Sequence, residues 1–572
     1  MNGFVLTING EKEVTKQLDN PIVMKNLNYV CAFSKMNKFE DDKIFLEEDG
    51  ILYLLDGVIF NKTDLMNKYQ SEFWNQTYIQ MVKEDSNNFV NELRGSFCGF
   101  IYDTNTGMLQ AFTNHSGERA IYYYAQNGVV IVANHMKLIY EALNINEQEV
   151  LPSQQGSLEM LTTGSLLHGN TIIDKVYRIT AGNKMIYQEG TARLERYHMF
   201  RNIPEHDLSL EECIEEADRL FRQAVDRIFA KNREYGYQAE ADLSGGLDSR
   251  LVTWVAHDLG YKDVLNVCYC QKGRIDHLSS KKMAQYLGNK YFFYPMNQGE
   301  FLLDVDELTN RTGGSIVYCL CSGANRVFDL IDSDNIGVAA TGLLGEIHNA
   351  YWTEGNQHTN AAYTNVRYTN TIKIDIPESY ALEYDNYEQM NLYEFSKLFF
   401  LSSVFARQDR CEVYTPFVDK DYMEFVYKVP LKWRKNYYFT INWILSKYPE
   451  AAQFVWQTKE KPIDKAYYNQ IYWPKVGWDI QDFIFRIYNK VCRTLKINSQ
   501  IALKGDMNPM QLWYHSNSQL RKFLAEYYER NKSLITDQKL GSDLEKMMNS
   551  GICRDKILVV NLLSIYKLYF NK

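Results

Sequence analysis

The stretch Ala241-Asp242-Leu243-Ser244-Gly245-Gly246-Leu247-Asp248-Ser249-Arg250 constrains this chain more than any other. It reads as the end of a buried strand, a tight glycine turn and the first turn of a helix. Two adjacent glycines reach backbone angles closed to other residues, so consecutive N–H groups can face one concavity. The helix adds its positive N-terminal end. Ser244 and Ser249 add hydroxyls, and Asp248 adds a carboxylate suited to a hard cation such as Mg²⁺. A plain glycine turn with a Ser or Asp cap is the simpler reading. The full Ser-Gly-Gly-Leu-Asp-Ser pattern between strand and helix favours a pyrophosphate cradle. No Lys follows the last Gly, so the Walker arrangement of kinases and GTPases is disfavoured.

The 572 residues are enough for two or three domains, each with its own core. A net charge of −9 argues against a general nucleic-acid binder. The longest apolar run, Ile557 to Ile565, is broken by Asn561 and Ser564, so no membrane span is expected. The N-terminus lacks the basic start and long apolar core of a signal peptide. A cytoplasmic protein with its 10 Cys reduced is therefore expected. Cys268-x-Cys270 and Cys319-x-Cys321 lack the two-residue spacing of zinc knuckles and sit in apolar text as small hydrophobes.

Residues 1–200 read as a hairpin-rich α+β layered domain. Phe4–Ile8 is an apolar strand. Ile51–Leu55 and Val58–Phe60 flank an expected Asp56-Gly57 turn. Strands Gly95–Asp103 and Met108–Asn114 flank Thr104–Gly107. Ala120–Ala125 and Val129–Ala133 flank Asn127-Gly128, and a helix follows at Met136–Leu143. From 205 to 572 the texture is α/β with a helical C-terminal part. Ser209 and Glu212 make a capping box for a helix to about Ala230. Strands near 238–243, 263–269, 290–294 and 336–341 alternate with helices near 250–260, 276–287 and 299–311. That alternation implies a parallel sheet with ligands at the strand C-termini. The stretch 353–370 reads as a mobile loop near the site.

Ser244–Ser249 resembles the PP-loop of ATP pyrophosphatases, which split ATP into AMP and pyrophosphate. The whole chain resembles the asparagine synthetase family, in which an Ntn-hydrolase-like class II glutamine amidotransferase domain precedes a PP-loop synthetase domain. Asp276 with Ala284 and Leu287-Gly288, Ala340-Thr341-Gly342, Arg410–Asp419 and Trp456–Glu460 match family segments in order. In the first half, Asp56–Asn61, Leu93–Phe97 and Gly117–Tyr123 match as well.

The resemblance implies ATP and Mg²⁺ as cofactors. It implies a nucleotide site at Leu243, Ser244, Gly245, Gly246, Leu247, Asp248, Ser249, Val267 and Gly342, and metal ligands at Asp248 and Glu346. Lys459, with Lys461 as its registration rival, would steady the tetrahedral intermediate and the leaving AMP. A family glutaminase needs an exposed N-terminal Cys, whose thiol attacks while its own amine acts as base. Position 2 here is Asn2, and Cys31 is far along the chain. Asp56, Val58, Thr113 and Asn114 replace the glutamine-holding types. Leu343 stands where family members carry Glu or Tyr as proton acceptor, with His348 as a substitute candidate.

The expected function is an ATP-dependent amide synthetase without glutaminase activity. It joins a carboxylate to an amine of the substrate, as lasso-peptide cyclases and β-lactam synthetases do. The expected partners are a precursor peptide with its protease or leader-binding protein, and a second copy in a homodimer; nucleic acid and membrane are not expected. Amidation with ammonia on an amino acid or sugar acid, and a catalytically silent scaffold, stand as alternatives.

Overall fold

The structure is a computed structural model. It describes all residues except 11, 204–206, 350–367, 374–376, 378–379, 381–382, 465–479, 495–506 and 572. The expected loop at 353–370 lies mostly outside the described residues.

Twelve strands precede residue 200: β1 (Gly3–Ile8), β2 (Ile22–Lys25), β3 (Tyr29–Ser34), β4 (Ile44–Glu48), β5 (Ile51–Ile59), β6 (Gly95–Asp103), β7 (Leu109–Thr113), β8 (Tyr122–Gln126), β9 (Val129–Ala133), β10 (Val176–Arg178), β11 (Asn183–Gln188) and β12 (Thr191–Arg196). They form two antiparallel six-stranded sheets, ordered β10-β8-β9-β1-β3-β2 and β12-β11-β7-β6-β5-β4. The period-two alternation explains the layers. Phe4, Leu6, Cys31, Phe33, Leu52, Leu54, Cys98 and Phe100 meet between the sheets. The intervening Tyr53, Leu55, Phe97 and Ile101 face outward onto α1 (Lys62–Lys68) and α2 (Trp74–Glu84). Val5, Ala32, Ile131 and Ala133 face α3 (Met136–Ile145) and α4 (Gln154–Thr163) on the other side. The inner strands β1, β3, β5, β6 and β7 are buried on both faces and read as near-continuous apolar runs, while the edge strands β2 and β12 are largely exposed.

One expected turn is absent. Asp56-Gly57 lies inside β5, paired with Cys98 and Phe97 of β6. Gly57 has φ +127° there, and a Cβ would sit 2.1 Å from the Ser96 carbonyl oxygen. The glycine permits close strand approach rather than reversal. Asn127 and Gly128, both at positive φ, do make the β8–β9 hairpin.

The second half opens with α5 (Leu210–Glu234), whose Ser209–Glu212 capping box is formed in both directions. A five-stranded parallel sheet follows, in the order β15 (Lys290–Pro295), β14 (Leu265–Cys270), β13 (Gln238–Asp242), β16 (Ile336–Ala340) and β17 (Glu412–Tyr414). Helices α6 (Asp248–Asp258), α7 (Ile275–Leu287) and α8 (Val305–Thr312) alternate with the strands. The last helix, Cys553–Tyr569, packs between the two halves. Tyr566 Oη lies 3.0 Å from Ser157 Oγ of α4, and Lys567 Nζ lies 2.7 Å from Asp306 of α8. Its apolar run, Ile557–Ile565, is thus interior to the protein. Among the described residues no helix is long and apolar enough to cross a membrane.

Candidate functional site

Strand β13 is central in the parallel sheet, and its carboxyl end leads directly into Leu243–Leu247. Ligands of such sheets bind outside these ends, where neighbouring connections diverge. The loop is held from below. Leu243 N donates to Val267 O at 2.8 Å. Ser244 N donates to Ser249 Oγ at 3.0 Å, Gly245 N to Asp276 Oδ1 at 3.0 Å, and Gly246 N to Ser244 Oγ at 3.1 Å. Three consecutive backbone donors therefore point at small polar acceptors rather than into a ladder. A phosphate oxygen can replace such acceptors without refolding the turn. Asp276 is 2% exposed, and burial raises its carboxyl above the usual range.

Two glycines press a second segment onto this loop. A Cβ on Gly342 would lie 2.4 Å from Ser249 N, and one on Gly345 would lie 2.3 Å from the Asp248 carboxyl carbon. Neither position has room for a side chain. The turn after β16 thus lies against the start of α6, and Glu346 follows the glycine that touches Asp248. Asp248 is therefore the acidic side chain that the structure packs against this turn. Among the described residues no group of three or more His, Cys, Asp or Glu could hold a metal alone.

A third element comes from far along the chain. Strands β18 (Val455–Trp456) and β19 (Lys461–Pro462) form a short hairpin. Gln457 N donates to Gly245 O at 3.0 Å. Arg250, 1% exposed, donates to Ala451 O, Phe454 O and Val455 O at 2.9, 3.1 and 3.0 Å, and to Gly245 O at 3.3 Å. Burial pushes this guanidinium down to about 10, so it stays charged at neutral pH. It staples the hairpin to the loop. Lys459 and Lys461 are both exposed on that hairpin. Three of the Arg250 carbonyl partners lie some 200 residues away, out of reach of local sequence reading.

The nucleoside positions are placed differently from the loop. Leu243 and Val267 are 2% and 1% exposed, with side chains in apolar clusters, so only their backbone can meet a ligand. Leu343 is partly buried against the main core, and its carbonyl accepts from Thr415 Oγ1 at 2.8 Å. The His348 side chain lies outside the described residues. Sequence reasoning missed Asp242 and β17. Asp242, the last residue of β13, is held by Arg407 at 2.7 and 2.9 Å. Behind it Glu240 is fully buried with neither oxygen hydrogen-bonded, and burial raises its carboxyl well above the usual range.

The N-terminal half has a polar cluster of another kind. Asn2, Asp56, Ser96, Arg119 and Asn134 line a small cavity with Glu412 of β17. Arg119 lies 3.7 Å from Asp56 and is hydrogen-bonded to Glu412. Thr113 donates to Arg119 O, and Asn114 donates to Gly95 O at 3.2 Å. Val58 is fully buried in the core. Cys31 and Cys98 are sealed between the sheets, where burial pushes both thiols up and leaves them inert.

Residues 36–141 match a glutamine amidotransferase domain family. No curated protein matches the chain. Several solved structures match, two of which follow. One is the allosteric regulatory enzyme of purine biosynthesis, at 9% identity and TM-score 0.24 over 51% of this chain and 74% of that one. The other is glutamine phosphoribosylpyrophosphate amidotransferase from B. subtilis with ADP and GMP, at 10% identity and TM-score 0.24 over 51% and 84%. At that score the superpositions define no shared fold. The matched stretch, residues 36–141, is similar to a glutamine amidotransferase domain, and its Asp56 and Arg119 line one cavity with Asn2.

Proposed function

We propose that the chain is an ATP-dependent, AMP-forming amide synthetase whose amidotransferase-like half no longer hydrolyses glutamine. The observation that carries this reading is the close approach of Gly342 and Gly345 to Asp248 and Ser249. It sets Asp248 against Gly345, the residue before Glu346, beside a glycine loop at the carboxyl end of a central parallel strand. Three of the loop's N–H groups would bind the departing pyrophosphate, and Asp248 with Glu346 would hold Mg²⁺. The bound metal would screen charge on the phosphates. A substrate carboxylate oxygen attacks the α-phosphorus and pyrophosphate leaves. An amine then attacks the acyl carbon, and AMP leaves with the acyl–oxygen pair. Lys459 or Lys461 would offset the negative charge that builds up on oxygen. Leu343 accepts no proton, which suits an amine that arrives neutral.

The missing nucleophile supports a substrate-borne amine, hence cyclisation of a peptide or small molecule. Lasso-type peptide closure is the specific product proposed, with a precursor peptide as partner. The amidotransferase match over residues 36–141 favours a second reading, amidation by ammonia. An intact-mass screen of candidate substrates with ATP separates the two. Loss of one water per AMP formed supports ring closure. Conversion of a carboxyl to a primary amide only when ammonium is added supports amidation. Release of labelled glutamate from glutamine would overturn the inactive-glutaminase proposal.

A further inference from the structure

A second cavity lies where the two halves meet, away from the Leu243–Ser249 loop. It is lined by Tyr122, Ser165, Arg178, Ser315, Glu394 and Leu401, among others. Its centre of charge is Arg178, at the end of β10. The guanidinium makes one protein hydrogen bond, from Nη2 to Gly117 O at 2.5 Å. Its Nε is sealed from solvent without a partner. No carboxylate pairs with it among the described residues. Glu118 is taken by Asn114 and Ser116, and Glu394 by the His168 N–H and the Tyr384 hydroxyl. Arg178 is half-buried, and burial lowers it from its ordinary value against the opposing pull of Tyr122, Glu394 and Glu118.

Such a group is costly to keep. An ion taken out of water loses several kcal/mol unless a counter-charge or several hydrogen bonds replace its hydration. Among the described residues Arg178 has one protein hydrogen bond and no ion pair; Glu394 and Glu118 act on it only from beyond contact distance and hold other donors, while the cavity before it is walled by hydroxyls. Tyr122 Oη and Ser315 Oγ lie 2.6 Å apart and come from opposite halves. The cavity volume is about 30 Å³, against roughly 10–15 Å³ for a single water. It holds a group of a few heavy atoms and excludes a nucleotide.

We propose that this cavity is a binding site for a small monocarboxylate, seated on the Arg178 fork and hydrogen-bonded by the Tyr122–Ser315 hydroxyl pair. Charge and shape select the class. A planar carboxylate matches the guanidinium fork with two parallel bonds. A monoanion neutralises Arg178. A dianion such as phosphate would carry excess charge beside Glu394, which lines the same cavity. The source is either a free short-chain acid or the carboxylate of a larger molecule whose body extends outward. The position suggests a consequence. Leu401 of the cavity wall lies on the helix Lys397–Arg407, whose last residue holds Asp242 just before the nucleotide loop. Occupancy at Arg178 therefore bears on the helix that supports that loop.

The test is thermal unfolding of the full chain in acetate, formate, glycine, chloride and phosphate at matched ionic strength. At an acetate concentration well above its Kd, the wild type should melt roughly 2–4 °C higher than in chloride. Acetate and formate acting without glycine identify a free short acid. All three acting identify a carboxylate on a larger body. Arg178→Met removes the half-buried charge and should melt at or above the wild type in chloride, with no acetate response. Arg178→Lys keeps the charge without the fork and should respond more weakly. Equal melting in acetate and chloride, a retained response in Arg178→Met, or a larger response to phosphate than to acetate overturns the proposal.

Discussion

The two halves carry polar clusters at comparable positions, each at one end of buried strands, and treat them oppositely. In the first half Asp56 and Glu412 converge on one guanidinium, Arg119, with Glu412 only 2% exposed. Charges locked together in this way orient the halves but leave nothing to meet a substrate. In the second half the loop donors end on two serine hydroxyls and one buried carboxylate, acceptors that a phosphate can displace. Glycines at 342 and 345 keep the facing segment close without filling the space. A polar cluster that has become structural is neutralised from within. One that serves a ligand keeps exchangeable bonds.

The largest consequence falls on the first cluster. Arg119→Ala would strand Glu412 in the interior and should cost about 3–5 kcal/mol in urea unfolding. The paired replacement Arg119→Met with Glu412→Leu should recover most of that loss. A loss of nucleotide turnover with no loss of stability would show that the pair is not structural. Next comes Asp248→Ala, expected to lower ATP–pyrophosphate exchange by roughly 10²–10³-fold at unchanged stability. Gly345→Ala should follow. Its methyl must displace the Asp248 carboxylate, and a shift of about 1 Å at a reacting centre costs up to about 10²-fold. The fall should appear in exchange rate rather than in melting temperature.

The smallest effect concerns pH. His135 is buried, its Nδ1 accepting from Lys137 N at 3.1 Å and its Nε2 lying 3.3 Å from Arg311 O. Burial lowers its pKa to about 4. Its folded pKa is below the unfolded value of about 6.5, so the unfolded chain binds the proton first as pH falls. Stability is then lost between about pH 6.5 and 4, amounting to about 2 kcal/mol from pH 7 to pH 5. His135→Asn should flatten that part of the stability–pH curve. An unchanged slope would mean that the histidine is not held neutral.

The sequence made the second half more readable than the first. Strand–helix alternation and the glycine loop are local signals, and β13, α6, β14, α7 and β15 form within a few residues of where the pattern put them. Asp56-Gly57 misled because a glycine serving cross-strand contact carries the same local text as a turn. Strand β17, only Glu412–Tyr414, is too short to announce itself and exists through its pairing with β16. Arg250, Arg407 and Arg119 were named by the sequence as charges only. Their partners are 160 to 300 residues distant, so their roles are tertiary.

The decisive measurement is nucleotide product analysis with labelled pyrophosphate across a panel of carboxylates. Label should enter ATP with at least one acid in the presence of Mg²⁺, AMP should be the only nucleotide product, and Asp248→Ala should lower both by the same roughly 10²–10³-fold. Formation of ADP and phosphate, or exchange that Asp248→Ala leaves undiminished, would contradict an adenylate-forming site at Leu243–Ser249.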